Sequence, residues 1–371
     1  MRFSKWLMLF SVVGSILLEG ACSSTTTSPP TVVPASRSYH GTASVGDFMN
    51  ITLDSEARTL SYKNLSNGDS GVVPYTPNSD GTYTLSDSTG NLIAAYEIPG
   101  YAMLVAAQKA GPDHATPALI TAVAESPITI HTFAGQSYNY MQFRTAAGGF
   151  EAGSATLDAQ GNVSVSSYWP YGATMQGSSA FNSGGFPATD FAEDSSGTFL
   201  TMTDQGSTDY IFGTSQGIFI VDTPNGTIMS LKQPATKNFD PNFAGTYKAI
   251  FYQKTNASTG MGNVETGTPS LANATLVIDS QAHVTVQDAQ GNTFVQTQLT
   301  PVADTSYLYG SPGQLANPCY GLFTFRITTA NSQQDVFVTF TGRAVLFASL
   351  KVPLPAQQSN SYDYLYGVGL K

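Results

Sequence analysis

Along most of the chain, apolar and polar residues alternate in short runs rich in Val, Ile, Thr, Tyr and Phe, separated by clusters of Gly, Asn and Asp. Alternation of this kind predicts half-buried strands, and no stretch after residue 22 keeps a helical period. The runs recur in a larger pattern. Tyr39-His40-Gly41, Tyr138-Asn139-Tyr140, Tyr247-Lys248-Ala249 and Tyr362-Asp363-Tyr364 open four similar segments, the middle two led in by Phe133-Ala134-Gly135 and Phe243-Ala244-Gly245. After each of the first three comes a run ending in Asp54, Asp158 or Asp279 and then a tight turn. A glycine-led run follows at Gly81-Thr82-Tyr83, Gly197-Thr198-Phe199 and Gly321-Leu322-Phe323, and a later one at Gly100 to Val105, Gly217 to Val221 and Gly342 to Phe347.

The starts lie about 100 to 115 residues apart, longer than a propeller blade or a solenoid coil. Asp-x-x-Gly-Asn at Asp87 to Asn91, Asp158 to Asn162 and Asp288 to Asn292 supplies a capping carboxylate and a residue that tolerates positive φ, the chemistry of a hairpin turn. The prediction is an all-β fold of three tandem antiparallel meanders, roughly six to eight strands each, curled into barrel-like units over 37–130, 131–237 and 238–371. The alternative is one closed, propeller-like ring, with the orphan start at Tyr362 to Lys371 pairing with the first unit as a closing strand.

The N-terminus changes the picture. Arg2 and Lys5 precede an apolar stretch from Trp6 to Leu18, shorter than the roughly 20 residues of a membrane span, so 1–21 reads as a signal peptide. It ends in Gly20-Ala21-Cys22, which suits lipidation of Cys22, although Glu19 stands where an apolar residue is usual. Residues 22–36 then form a Ser/Thr/Pro-rich tether. Ser23 after the cysteine favours the outer membrane, so the expected location is the bacterial envelope with the membrane as partner through the anchor.

Charged residues make up 11% of the chain against about 25% in a typical soluble domain, and the formal charge is −10. That acidity argues against nucleic acid as a partner. With Cys22 lipidated, Cys319 has no intrachain partner and reads as a buried apolar residue.

Candidate chemistry is sparse. His40, His114, His131 and His283 have no zinc-site spacing, His283 reads as a turn residue, and neither a nucleophile elbow nor a phosphate loop is present, so no catalytic residue, metal or cofactor is assigned. Asp54 with Glu56, Glu97, Asp190 with Glu193 and Asp194, and Asp335 are the carboxylates from which a carbohydrate-active enzyme would draw a pair, Glu97 reading better as a paired structural group. The Asn/Asp-rich loops 64–71 and 78–81 would serve a calcium-stabilised adhesin-like module. Tyr168-Trp169-Pro170-Tyr171-Gly172 holds the one tryptophan outside the signal. Its Tyr168, Trp169 and Tyr171 form the candidate platform for a glycan or protein partner, the competing reading being that Trp169 caps a barrel core.

Asn64-Leu65-Ser66-Asn67-Gly68, Ala95-Tyr96-Glu97-Ile98-Pro99-Gly100-Tyr101 and the Tyr168 to Gly172 run, together with the signal, resemble a family of uncharacterised beta-proteobacterial lipoproteins over nearly the whole mature chain. That resemblance implies a location and no catalytic residues. The leading expectation is a non-enzymatic, lipid-anchored envelope protein that binds a ligand or partner or serves structurally.

Overall fold

The computed structural model describes residues 33–86, 92–110, 116–144, 151–167, 183–204, 206–224, 226–260, 263–264, 268–302, 320–328, 332–353 and 361–371. Among these the fold is all-β, with only three short 3-10 turns, at Ile130–Thr132, Ala188–Asp190 and Pro241–Phe243. Residues Pro34–Lys371 form one compact unit.

The first sheet comprises β1 (Ser36–Ala43), β2 (Asp47–Asp54), β3 (Thr59–Asn64), β4 (Ser70–Pro77), β5 (Thr82–Ser86), β6 (Leu92–Ile98), β7 (Ala102–Ala110) and β8 (Thr116–Ala124). It closes into a barrel through β1 against β8. The second sheet comprises β9 (Ser137–Arg144), β10 (Glu151–Leu157), β11 (Val163–Ser167), β12 (Ser183–Phe186), β13 (Phe191–Glu193), β14 (Leu200–Asp204), β15 (Ser207–Thr214), β16 (Ile218–Thr223) and β17 (Gly226–Lys232), with β9 paired to β17. The third comprises β18 (Gly245–Gly260), the small β19 (Asn263–Val264), β20 (Thr268–Ile278), β21 (His283–Asp288), β22 (Thr293–Gln298), β23 (Thr300–Pro301), β24 (Leu322–Thr328), β25 (Ser332–Phe340), β26 (Ala344–Pro353) and β27 (Ser361–Leu370), with β18 paired to β27.

One device relates the three sheets. In the first, β4 pairs with β3 through Ser70 to Pro74 and then with β5 through Tyr75 to Pro77, changing partner halfway along. The same position is broken in the other two: β12 pairs with β11 and β13 with β14, and β22 pairs with β21 and β23 with β24. With each broken pair counted as one position, and β19 set aside, all three are eight-position up-and-down meanders sealed first strand to last. The C-terminal strand therefore packs against the first unit but does not pair with it, as the single-ring alternative required. It seals its own sheet, Lys248 opposite Leu370 and Leu346 opposite Val368.

The recurring sequence positions have packing reasons. Tyr39, Tyr138 and Tyr247 are each fully buried, one at the floor of each sheet. The Phe-Ala-Gly segments put Phe133 against Phe219 and Phe243 against Phe340, plugging the second and third floors. Asp54 ends β2, Asp158 and Asp279 directly follow β10 and β20, and each accepts backbone N–H groups of its turn, at Glu56 and Ala57, Gln160 and Asn162, and Gln281 and His283.

Strands at the sheet contacts are buried on both faces, which is why they read as continuous apolar runs. In β7, Met103 and Val105 face the first lumen, while Ala102, Leu104 and Ala106 join a cluster with Tyr252, Leu346 and Val368 of the third sheet and Met141 and Phe212 of the second. Each such leucine contributes roughly 1.5–3 kcal/mol. Few polar contacts tie the sheets: His40 Nε2 lies 2.8 Å from Thr198 Oγ1, the Thr42 hydroxyl donates to Asp222, Tyr101 Oη lies 3.2 Å from Thr341 Oγ1, and Asn139 Nδ2 donates to the Tyr320 carbonyl at 2.7 Å.

Candidate functional site

The three lumens differ in what fills them. The first holds large side chains, with Met49, Leu53, Leu60, Tyr75, Leu85 and Met103 in one buried cluster. Its floor is polar: Arg37 donates to Glu97 from Nε at 2.7 Å and from Nη2 at 2.9 Å, the Tyr39 hydroxyl donates to Oε1, and the Tyr83 hydroxyl to Oε2 at 3.0 Å. The Arg37 and Glu97 side chains are 8% and 0% exposed. Burial first, and then the hydrogen bond to Glu97, pushes the Tyr39 hydroxyl far above its ordinary pKa, and burial beside the same carboxylate does so for Tyr83. A sealed carboxylate with four donors on its two oxygens is a structural ion pair, the role the sequence favoured for Glu97.

The third lumen is built from smaller side chains and contains a cavity of about 350 Å³. Its floor is the stack of Phe243 on Phe340, ring centroids 5.3 Å apart, with Phe323 beside Phe340 and the Tyr247 hydroxyl donating to the Phe243 carbonyl at 2.6 Å. Above it Leu276, Ile278, Val284, Val286, Val336 and Val338 form the walls, with the ring centroids of Phe251 and Phe347 4.5 Å apart. Gln253, Ala272, Asn273 and Asp288 line the opposite, open end.

Among the described residues, β23 meets β24 only at Thr300–Thr324 and Pro301–Phe323, and β22 and β24 do not pair with each other. Phe294, Val295 and Phe325 line the cavity on either side. The register of β21 on β22 slips between Val286 and Gln287, leaving Phe294 as the extra residue of a bulge, 60% exposed. Bulges at barrel rims re-aim side chains in this way, and here the bulge carries an exposed phenylalanine that lines the cavity.

The other sequence candidates fall elsewhere. Asp54 and Glu56 lie in an exposed turn, and Asp190, Glu193 and Asp194 on an exposed segment where Asp194 accepts from Ser196. Asp335 sits in β25 opposite Arg326 and Leu350. The loop oxygens proposed for calcium serve their own turns: Asn64 Oδ1 accepts from Ser66 and Asn67, and Asp80 accepts from Thr82. Among the described residues no group of three His, Cys, Asp or Glu is arranged to hold a metal. His283 stands where Asn162 stands in the second unit, its Nδ1 2.8 Å from Asp279, a turn residue as read. His40 is buried among Phe48, Phe199 and Phe212 where the first two sheets meet, and burial lowers its pKa. Cys22, Cys319, His114, Tyr168, Trp169 and Tyr171 lie outside the described residues.

The cavity was missed in the sequence because alanine and valine at inward positions read as ordinary strand. The available signal was the contrast between Ala272, Ala274, Val286 and Val336 in the third unit and the leucines, methionines and tyrosines of the first.

No family model and no curated protein matches the chain. Among solved structures, a double mutant of transferrin-binding protein B from Haemophilus parasuis aligns over 91% of this chain and 76% of its own at 9% identity, with a TM-score of 0.26. The isotype 1 transferrin-binding protein B of serogroup B Neisseria meningitidis aligns over 88% and 66% at 8% identity, also at 0.26. The Pseudomonas aeruginosa DNA polymerase III beta subunit aligns over 91% and 93% at 10% identity and 0.13. Scores this low leave the function to the geometry of the chain itself.

Proposed function

We propose that the protein is a non-enzymatic, lipid-anchored protein of the bacterial envelope that holds a small apolar ligand in the cup of its third barrel. The observation that carries the reading is the cup: a floored, apolar cavity with an open end, in a barrel whose counterpart in the first unit is packed with side chains. Its volume lies within the roughly 300–1,000 Å³ of ligand pockets, and an apolar lining with a few polar groups at one end is their usual chemistry. The anchor rests on Gly20-Ala21-Cys22, and the outer-membrane assignment on Ser23. The carbohydrate-active reading needs two carboxylates facing one cleft, and among the described residues the cup carries Asp288 alone.

The test is titration with N-phenyl-1-naphthylamine, an uncharged probe whose emission rises in apolar surroundings. Saturable binding near one probe per chain is expected, weakened at least about tenfold by Ala272→Trp, which places an indole across the mouth from an exposed position. Absence of binding, or binding indifferent to Ala272→Trp, overturns the reading.

A further inference from the structure

We infer that the cup takes the tail of a single-chain amphiphile of up to about fourteen carbons, its chain end on the phenylalanine floor and its head in the water at the open end. This rests on the cup reading above and adds the chemical class and length of the ligand.

The shape of the lumen is the first argument. On β20 the lining runs from Ile278, beside the floor, to the exposed Ala272, about 20 Å along the strand and about 15 Å of depth at the tilt of about 40° usual in barrels. A volume of about 350 Å³ spread over that depth is a bore roughly 5 Å across, the thickness of one hydrocarbon chain at van der Waals contact. A second tail has no room beside the first. The bore is kept open by a glycine. Gly367 stands between Phe251 and Phe347 in the strand register, and the Phe347 ring lies over it, so that a Cβ there would meet the ring at 2.0 Å. With no side chain in the way, the two rings meet each other against the wall and do not cross the lumen.

Capacity sets the length and polarity the direction. A cavity of about 150 Å³ accommodates the six carbons of benzene, so about 350 Å³ accommodates roughly fourteen. At the floor the Tyr247 hydroxyl is engaged by the Phe243 carbonyl at 2.6 Å, and the remaining groups there are phenylalanine rings. Among the described lining residues the polar side chains are Gln253, Asn273 and Asp288, all at the open end. A head group sent to the floor loses its water and gains no partner, whereas at the open end it stays hydrated whatever its charge.

The experiment uses the full mature chain carrying Cys22→Ser, which removes its own acyl chains, with N-phenyl-1-naphthylamine as the displaced reporter. Alkanoates of about six to eighteen carbons, dodecanedioate and a short two-chain phosphatidylcholine compete at about pH 8, where carboxylates are ionised, each below its micelle-forming concentration. Affinity is expected to rise about fourfold per added carbon and to level off near fourteen carbons. Dodecanedioate, whose second carboxylate must sit on the floor, is expected to bind at least about tenfold more weakly than dodecanoate, and so is the two-chain lipid. Val338→Phe adds four carbons to the wall beside Phe323 of the floor and is expected to shorten the limit by about four carbons. A gain that continues to eighteen carbons, dodecanedioate or the two-chain lipid matching dodecanoate, or a limit unmoved in folded Val338→Phe overturns this inference and leaves the cup standing. Where Val338→Phe does not fold, the wild-type series decides alone. Failure of the probe itself to bind overturns the cup.

Discussion

The ion pair in the floor of the first barrel offers the sharpest test of the energetics. In Arg37→Met the guanidinium is lost and Glu97, with a side chain 0% exposed, keeps only the tyrosine hydroxyls of Tyr39 and Tyr83. Removing one partner of a buried pair costs about 3–5 kcal/mol, because the survivor is an uncompensated charge away from water. Against a typical total of about 5–15 kcal/mol this is a large loss. Adding Glu97→Leu removes the stranded charge. Replacing a buried pair by apolar groups is often neutral or stabilising by about 1–4 kcal/mol, while the Tyr39 hydroxyl, now without its acceptor, costs about 1–3 kcal/mol. The double variant should therefore return to within about 2 kcal/mol of wild type, and Tyr39→Phe on top should return it further. The third barrel already uses the apolar solution, with Phe323 and Phe340 on its floor. The assay is guanidinium unfolding followed by far-ultraviolet circular dichroism, read as a shift of midpoint at unchanged slope. A loss below about 1 kcal/mol for Arg37→Met, as for an exposed pair, refutes the reasoning. So does a double variant less stable than the single one.

Four further outcomes are expected. Burial pushes the Asp222 carboxyl well above its ordinary range, with Asp47 and Asp209 adding repulsion, so the native chain keeps a proton that the unfolded chain releases above about pH 4. Stability then falls as pH rises from there through the raised native value, and Asp222→Asn should raise the neutral-pH Tm relative to wild type. His40 has the opposite sign. Its lowered native pKa removes stability as pH falls below about 6.5, a limb that His40→Gln should flatten, and thermal melts across a pH series read both. Gly46 has φ near +88°, and a Cβ there would stand 2.4 Å from the Pro224 carbonyl oxygen, whereas Gly100, also at positive φ, faces open space. Gly46→Ala should cost clearly more than Gly100→Ala, itself about 1 kcal/mol, and equal losses in calorimetry would deny the contact between the two turns. Finally, Cys22→Ala should abolish acylation, and an intact mass showing an unmodified Cys22 in the wild type removes the anchor.

How much of this was legible depended on what each residue is for. The tyrosines at 39, 138 and 247 announced the repeat because a large ring is needed at each floor, and the aspartates at 54, 158 and 279 because each caps a turn. The destination of the C-terminal strand was not legible. A strand with both faces buried carries no sign of which edge it joins, and the alternation of Tyr364, Tyr366 and Val368 suits either partner. His40 and Asp222 gave no signal either, since their environment is another barrel and not their own strand. The cup was hidden for the deepest reason: an unfilled volume is the sum of small choices on several strands, each of them ordinary alone.

The sealing of each sheet, first strand to last, sets a timetable. A chain that emerges N-terminus first, from the ribosome or from an export pore, presents β18 long before β27, so Lys248 must wait for Leu370. Until then β18 has one bare edge and the apolar side chains meant for the third lumen lie open to water. Contacts so distant in sequence are slow to form, and unpaired edges invite the wrong strand. The first barrel closes as soon as Ala124 arrives to meet Tyr39, and it is ready to offer its outward face to the others before they exist. The order of synthesis therefore favours closing the packed barrel first, and the barrel with the cup can be sealed only when the last strand has arrived.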